Sequence, residues 1–315
     1  MTTPIRPKSG HRPIIGVSTK MYFTHAQTKA FTAEVLSLLS SLHGHNPLDH
    51  LDAFFLPDFL ATPSIIDLVA SWKGSASPSS QCPSPPGQSL LVGAQDCSHH
   101  DFGAHTGDVS PAVLRELGAR LIAVGHAERR GVCPPAHAQG EAKQQQHRRG
   151  ETDAEVRDKA CAVAENGMWP LLCVGEVDPP GEGEDGVEQA AREVTRQVEA
   201  ALERDCSAEM DEVDVVIAYE PVWAIGAPEP ASPEHVIGMV RRLREGVRRR
   251  RGRARIMYGA AGLGLWERLG GEVDGLFLGR FAHQPENFVR IMCEVTGISG
   301  PREARVKDEE SSETS

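Results

Sequence analysis

Residues 215–230 read "VVIAYEPVWAIGAPEP": five apolar or aromatic residues, one glutamate, then a loop with Gly226 and three prolines. The run 215–219 is apolar throughout instead of alternating. That is expected of a strand buried on both faces, as in a parallel sheet wrapped by helices. Closing such a strand with a carboxylate is costly unless the charge has a task there. The same kind of run recurs along the chain. Strands are predicted at 13–18, 51–56, 90–95, 121–125, 169–174, 213–219, 255–259 and 273–279. Helices fit between them at 25–41, 110–118, 152–167, 186–204, 233–250 and 283–296.

Eight strands alternating with helices predict a (β/α)8 barrel in the α/β class, built as one domain; a doubly wound open sheet is the alternative. The predicted barrel covers 13–297, after a disordered leader at 1–12 and before an acidic disordered tail at 298–315. Three polar, Pro- or Gly-rich stretches interrupt the rhythm near 75–88, 134–150 and 178–186. They lack a periodic apolar face and are expected to be surface insertions.

The 315 residues suit one large domain, and 40% hydrophobic with 24% charged residues is the composition of a soluble globular chain. A net charge of −11 argues against a general nucleic-acid partner. The basic run at 241–255 is expected to be an exposed helix face and end, where cations suit the macrodipole. Seven dispersed cysteines without a CxxC pair point to reduced thiols and a cytoplasmic location. No apolar run reaches about 18 residues, so no membrane partner is expected.

In such a barrel the chemistry gathers at the C-terminal ends of the strands. Residues just past the predicted strands are Lys20, Gln95, Asp96, His126, Glu128, Glu220, Gly259 and Gly279. At this point the segments become recognisable. "VGAQDCSHHDFGAHTGDVSPAVLRELGARLIAVGHAERR" (92–130), "CVGE" (173–176), "YEPVWAIG" (219–226) and "DGLFLG" (274–279) resemble the triosephosphate isomerase family in order and spacing. The resemblance implies an isomerase that moves a proton between adjacent carbons of a small phosphorylated sugar through an enediolate, with no cofactor and no metal. It implies Glu220 as base, His126 as electrophile and Lys20 as the cation beside the substrate oxygens, with Glu128 and Ser18 in support. Burial that strips water from a carboxylate makes it a better base. A helix starting at "AERR" would keep the His126 ring neutral. The loop 221–231 is expected to close over the substrate, with Gly226 offering its N–H to phosphate. Pro228 and Pro230 fix φ in its second half and predict a stiffer or differently hinged lid.

The phosphate end departs from the family. Gly259, Ala260 and Ala261 stand where the family has Gly-Gly-Ser, so a side-chain donor is lost. Gly279 and Arg280 stand where it has two glycines; Arg280 either supplies a charged fork to phosphate or forms a structural ion pair. Strand 1 ends Ser18-Thr19-Lys20 in place of Asn-Trp-Lys. The segments "GVSTKMYF" and "DGLFLGRFAH" resemble a branch of the family acting on four-carbon erythrulose phosphates, so triose and tetrulose phosphates both stand as substrates. A non-catalytic sugar-phosphate-binding barrel and a Schiff-base aldolase using Lys20 are the weaker readings. The loop 98–110 resembles the family segment that supports a neighbouring subunit's site through Thr106, which implies a homodimer. His99, His100 and His105 lie in that loop without metal-ligand spacing, and Cys173 reads as packing.

Overall fold

The computed structural model describes residues 4–42, 45–72, 90–132, 149–181, 183–203, 210, 212–227, 230–248, 252–260 and 262–300. Eight strands appear where the apolar runs predict them: β1 (Ile14–Ser18), β2 (Asp52–Leu56), β3 (Leu90–Val92), β4 (Leu121–Val124), β5 (Trp169–Val174), β6 (Val215–Tyr219), β7 (Ala254–Ala260) and β8 (Gly275–Leu278). All pair in parallel, in the order β3-β2-β1-β8-β7-β6-β5-β4. Ala94 bridges to Ile122, its N–H donating to Leu121 O at 3.1 Å, and this joins β3 to β4 and closes the ring. The doubly wound alternative is thereby excluded. The barrel interior is filled by side chains such as Ile14, Phe54, Leu121, Leu171, Val216, Met257 and Phe277. A second, larger shell packs the outer strand faces against the helices.

The described helices are α1 (His25–Ser41), α2 (Thr62–Ser71), α3 (Pro111–Leu117), α4 (Asp153–Glu165), α5 (Gly183–Ala201), α6 (Pro233–Val247), α7 (Leu265–Leu269) and α8 (Pro285–Thr296). Their starts are written locally. Thr24 with Gln27 and Thr152 with Glu155 form capping boxes, and Ser110 and Ser232 cap helices that open with proline. Helices α2 and α7 were not among the expected ones. The basic run is largely a paired helix face: Arg241 meets Glu272, Arg242 meets Glu188 and Arg244 meets Asp274.

Three expectations need correction. Residues 4–12 are not a free leader: Lys8 pairs with Glu272 at 2.6 Å, Ser9 and His11 reach Asp274, and Ile5 O accepts from Trp266 Nε1 at 3.2 Å. The stretch 178–186 is partly helical, since α5 already runs at Gly183. The residues after His126 form a single turn instead of a helix. The N–H groups of Arg129 and Arg130 both donate to His126 O, at 2.8 and 2.9 Å, and Gly131 at φ 71° ends the turn. Most of the stretches 75–88 and 134–150, and the tail from 301, lie outside the described residues. Among the described residues no helix is long and apolar enough to cross a membrane.

Candidate active site

Glu220 follows the last residue of β6 at the barrel's C-terminal rim. Its backbone N–H donates to Val174 O at 2.8 Å, tying it to β5. Its side chain is 15% exposed, and Oε2 is buried without a hydrogen-bond partner among the described residues. That oxygen lies 3.5 Å from His126 Nε2, an approach too long for a strong hydrogen bond. Two glycines seat this glutamate. A Cβ on Gly259 would stand 2.2 Å from Glu220 Cγ, and one on Gly175 would stand 1.9 Å from Glu220 O. Gln197 in turn fixes Gly175, accepting from its N–H at 3.1 Å and donating to its carbonyl at 3.0 Å.

His126 follows β4. The backbone N–H of Glu128 donates to its Nδ1 at 3.2 Å, which leaves the ring proton on Nε2, the nitrogen that faces Glu220. The turn after His126 therefore fixes the donor tautomer in place of the expected helix. Lys20, after β1, donates from Nζ to Glu128 Oε1 at 2.8 Å. Burial pulls the Lys20 ammonium toward a lower pKa, but the Glu128 and Glu220 carboxylates outweigh it and hold the group above its ordinary value. Lys20 is also the one non-glycine residue with left-handed φ (47°) among the described residues. Gln95 Nε2 braces that backbone by donating to Lys20 O and Leu56 O, each at 3.1 Å, while Ser18 Oγ accepts the Lys20 N–H at 3.2 Å. Glu220, His126 and Lys20 thus converge from β6, β4 and β1.

The other predicted positions divide. Gly259 stands against the Glu220 side chain, which leaves no room for a Cβ at this position. Gly226 is exposed, with φ 73°, in the loop after the short turn Val222–Ala224. Gly279 opens the turn Arg280–His283 at the mouth. Arg280 is exposed and makes no ion pair or hydrogen bond among the described residues, so the structural-pair alternative has no partner there. Its charge, with that of Lys20, reinforces the downward push of burial on His283, which bonds Ser18 O at 3.0 Å. Ala261 and Pro228 lie outside the described residues. Thr106 is exposed in the loop 98–110, where His100 stacks on His105 at 4.1 Å. Among the described residues no three His, Cys, Asp or Glu side chains are grouped to hold a metal. Cys173 is fully enclosed, and burial followed by the Glu220 charge pushes its thiol well above the usual value.

Asp96 belongs to a buried charge cluster and not to the cleft. Lys159 Nζ donates to its two oxygens at 2.7 and 2.9 Å and to Glu151 at 2.7 Å, with Arg129 at 2.8 Å from Asp96. Spacing alone also gives no role to Glu176. Its Oε1 accepts from Tyr219 Oη at 3.0 Å and from Trp223 Nε1 at 2.8 Å, and His235 Nε2 lies 3.1 Å away. The glutamate of "CVGE" was the available signal for that node.

The family model described as Triosephosphate isomerase matches residues 13–295. The chain is 36% identical over 294 residues to the L-erythrulose-1-phosphate isomerase of Pectobacterium atrosepticum, covering 92% of this chain and 98% of the relative. It is 36% identical over 224 residues to the protein of the same name from Rhizobium etli, covering 68% and 76%. It is 32% identical over 255 residues to the triosephosphate isomerase of Thermus thermophilus, covering 79% and 84%.

Proposed function

Because the chain belongs to the triosephosphate isomerase family, we propose that it isomerises a short phosphorylated ketose by proton transfer through an enediolate. The observation that carries this reading is the facing pair of Glu220 Oε2 and His126 Nε2, 3.5 Å apart, with Lys20 beside them. Glu220 takes the proton from the carbon next to the carbonyl, and the electrons move onto the carbonyl oxygen. His126 Nε2–H and the Lys20 ammonium donate to the developing oxyanion. Glu220 then returns the proton to the former carbonyl carbon. The hydroxyl proton of the carbon that lost its hydrogen passes by way of His126 to the former carbonyl oxygen, which leaves the new carbonyl. In a triose phosphate this interconverts dihydroxyacetone phosphate and glyceraldehyde 3-phosphate; in a four-carbon 2-ketose 1-phosphate it moves the carbonyl from C2 to C3. No step needs a redox cofactor. The loop 221–231 serves as the lid, excluding water and keeping the enediolate from expelling phosphate.

We place the four-carbon ketose phosphate first. Supporting it are the near full-length similarity to a relative named for erythrulose 1-phosphate and the altered phosphate end at Ala260, Ala261 and Arg280. The triose phosphate is the second reading, favoured by the complete Lys20–His126–Glu220 set and the Thermus relative. Side-by-side assays with L-erythrulose 1-phosphate and dihydroxyacetone phosphate decide between them. The expected kcat/KM is at least about tenfold higher for the four-carbon substrate, and Arg280→Ala raises KM about 10- to 100-fold, as for loss of a charged hydrogen bond. Turnover of neither substrate, with Glu220 intact, sinks the isomerase reading.

The active form in this proposal is a homodimer in which the loop bearing Thr106 supports the partner's site. Met21, Leu60 and Phe102 are 93%, 88% and 76% exposed on the single chain, the kind of apolar surface that a second copy covers. Sedimentation at micromolar concentration is expected to give twice the chain mass, and Phe102→Asp to shift it toward the monomer. A monomer for the unaltered chain rules the arrangement out.

A further inference from the structure

We propose that His235 is a positioning residue for the lid: with Tyr219 it locks the Glu176 carboxylate in the rotamer that holds Trp223. This rests on reading the loop after Glu220 as a lid and uses only its described half, 221–227. The lid's first turn is held to β5's exit twice by one residue. Val222 N–H donates to Glu176 O at 2.9 Å, and Trp223 Nε1 donates to Glu176 Oε1 at 2.8 Å. The same Oε1 accepts the Tyr219 hydroxyl at 3.0 Å. That uses the one proton of the phenol, so at the 2.9 Å contact between Tyr219 Oη and His235 Nε2 it is the imidazole N–H that donates. The same Nε2 lies 3.1 Å from Glu176 Oε1, so its N–H is shared between the two oxygens. His235 sits in the first turn of α6, just beyond the lid, and its ring edge meets Trp223 at 5.7 Å between centroids.

One carboxylate oxygen thus joins the strand end before Glu220, the lid and the helix after the lid. Glu176 and His235 are 1% and 8% exposed, so water does not replace a lost donor easily. Glu176 Oε2 and His235 Nδ1 are buried without partners among the described residues, which concentrates the grip on Oε1. With the imidazole gone, nothing on the second oxygen keeps the carboxylate from turning away from Trp223.

Hydrogen exchange of the full chain, with and without the enediolate mimic 2-phosphoglycolate, tests this. In the unaltered protein, exchange across 222–227 is expected to slow with the mimic. Without ligand, His235→Leu speeds exchange there about tenfold, the loss of one hydrogen bond to a charged group, while β6 amides stay unchanged. His235→Gln, whose amide can donate, restores exchange to within about twofold of the unaltered protein. Unchanged exchange at 222–227 in His235→Leu overturns the latch and leaves the lid standing. So does an equal rise in β6, which marks general loosening, or a failure of His235→Gln to rescue. No effect of the mimic on the unaltered protein removes the lid reading and the latch together.

Discussion

Glu220→Gln is expected to lower kcat by about 10³–10⁴-fold while KM changes only a few-fold, the scale of a removed general base. The amide keeps the shape of the side chain and the packing on Gly259, and it takes away the ability to accept a proton from carbon. In the proposed mechanism ground-state binding rests on other groups, the Lys20 ammonium and the phosphate contacts, so the loss is expected to fall on the chemical step. A second variant separates basicity from position. In Gly259→Ala the new methyl would lie 2.2 Å from Glu220 Cγ, so the carboxylate must move although it stays ionisable. A displacement on the order of 1 Å costs about 10² in rate, so this variant should fall between the wild type and Glu220→Gln. Initial rates over a substrate series, with circular dichroism to confirm the fold, provide the check. More than a tenth of wild-type kcat in Glu220→Gln would show that another group moves the proton.

Which parts of this arrangement are visible in the sequence follows from the range of the interactions. The eight strands are legible because each centres on a short apolar run, several of them apolar throughout, and "VVIAY" ends at Tyr219 as expected. Helix starts are legible because Thr24, Ser110, Thr152 and Ser232 act on their own third neighbours. Glu220, His126 and Lys20 are legible through resemblance, and the fold explains their convergence. Contacts between distant positions carry no spacing signal. His235 and Glu176 are 59 positions apart, and His235 reads as an ordinary residue of a helix opening. The clash that a Cβ at Gly259 would make depends on the aim of Glu220, which no local pattern encodes. The turn after His126 is hidden from the sequence because "AERR" suits a helix start, whereas Gly131 ends it within one turn.

Asp274→Asn is expected to lower stability by about 3 kcal/mol near neutral pH, in the range for breaking one side of a buried ion pair. Asp274 is fully buried at the N-terminal end of the barrel, beside the start of β8. Its carboxylate gathers the Ile256 N–H at 2.7 Å, Arg244 at 3.2 Å, Ser9 and His11, while its backbone bonds β7 and β1 through Ile256 O and Ile14 N–H. One side chain therefore joins β7, α6 and the segment before β1. Burial alone would raise its pKa, but the bonds from His11 and Ser9, the Arg244 charge and the Ile256 N–H outweigh it and hold the group below the usual value. A carboxylate shifted down on folding stabilises fully above its unfolded pKa of about 3.9, and that contribution is lost as pH falls through the folded value. The variant keeps the volume but turns an amide toward donors. Its deficit should therefore be full at pH 6–8, where thermal melts are expected to be lower by about 6–12 °C, and should shrink once acid titrates Asp274 in the wild type. Melting curves from pH 8 to 3 on both proteins read this out, and a gap that stays constant to pH 3 would mean that the charge of Asp274 contributes nothing.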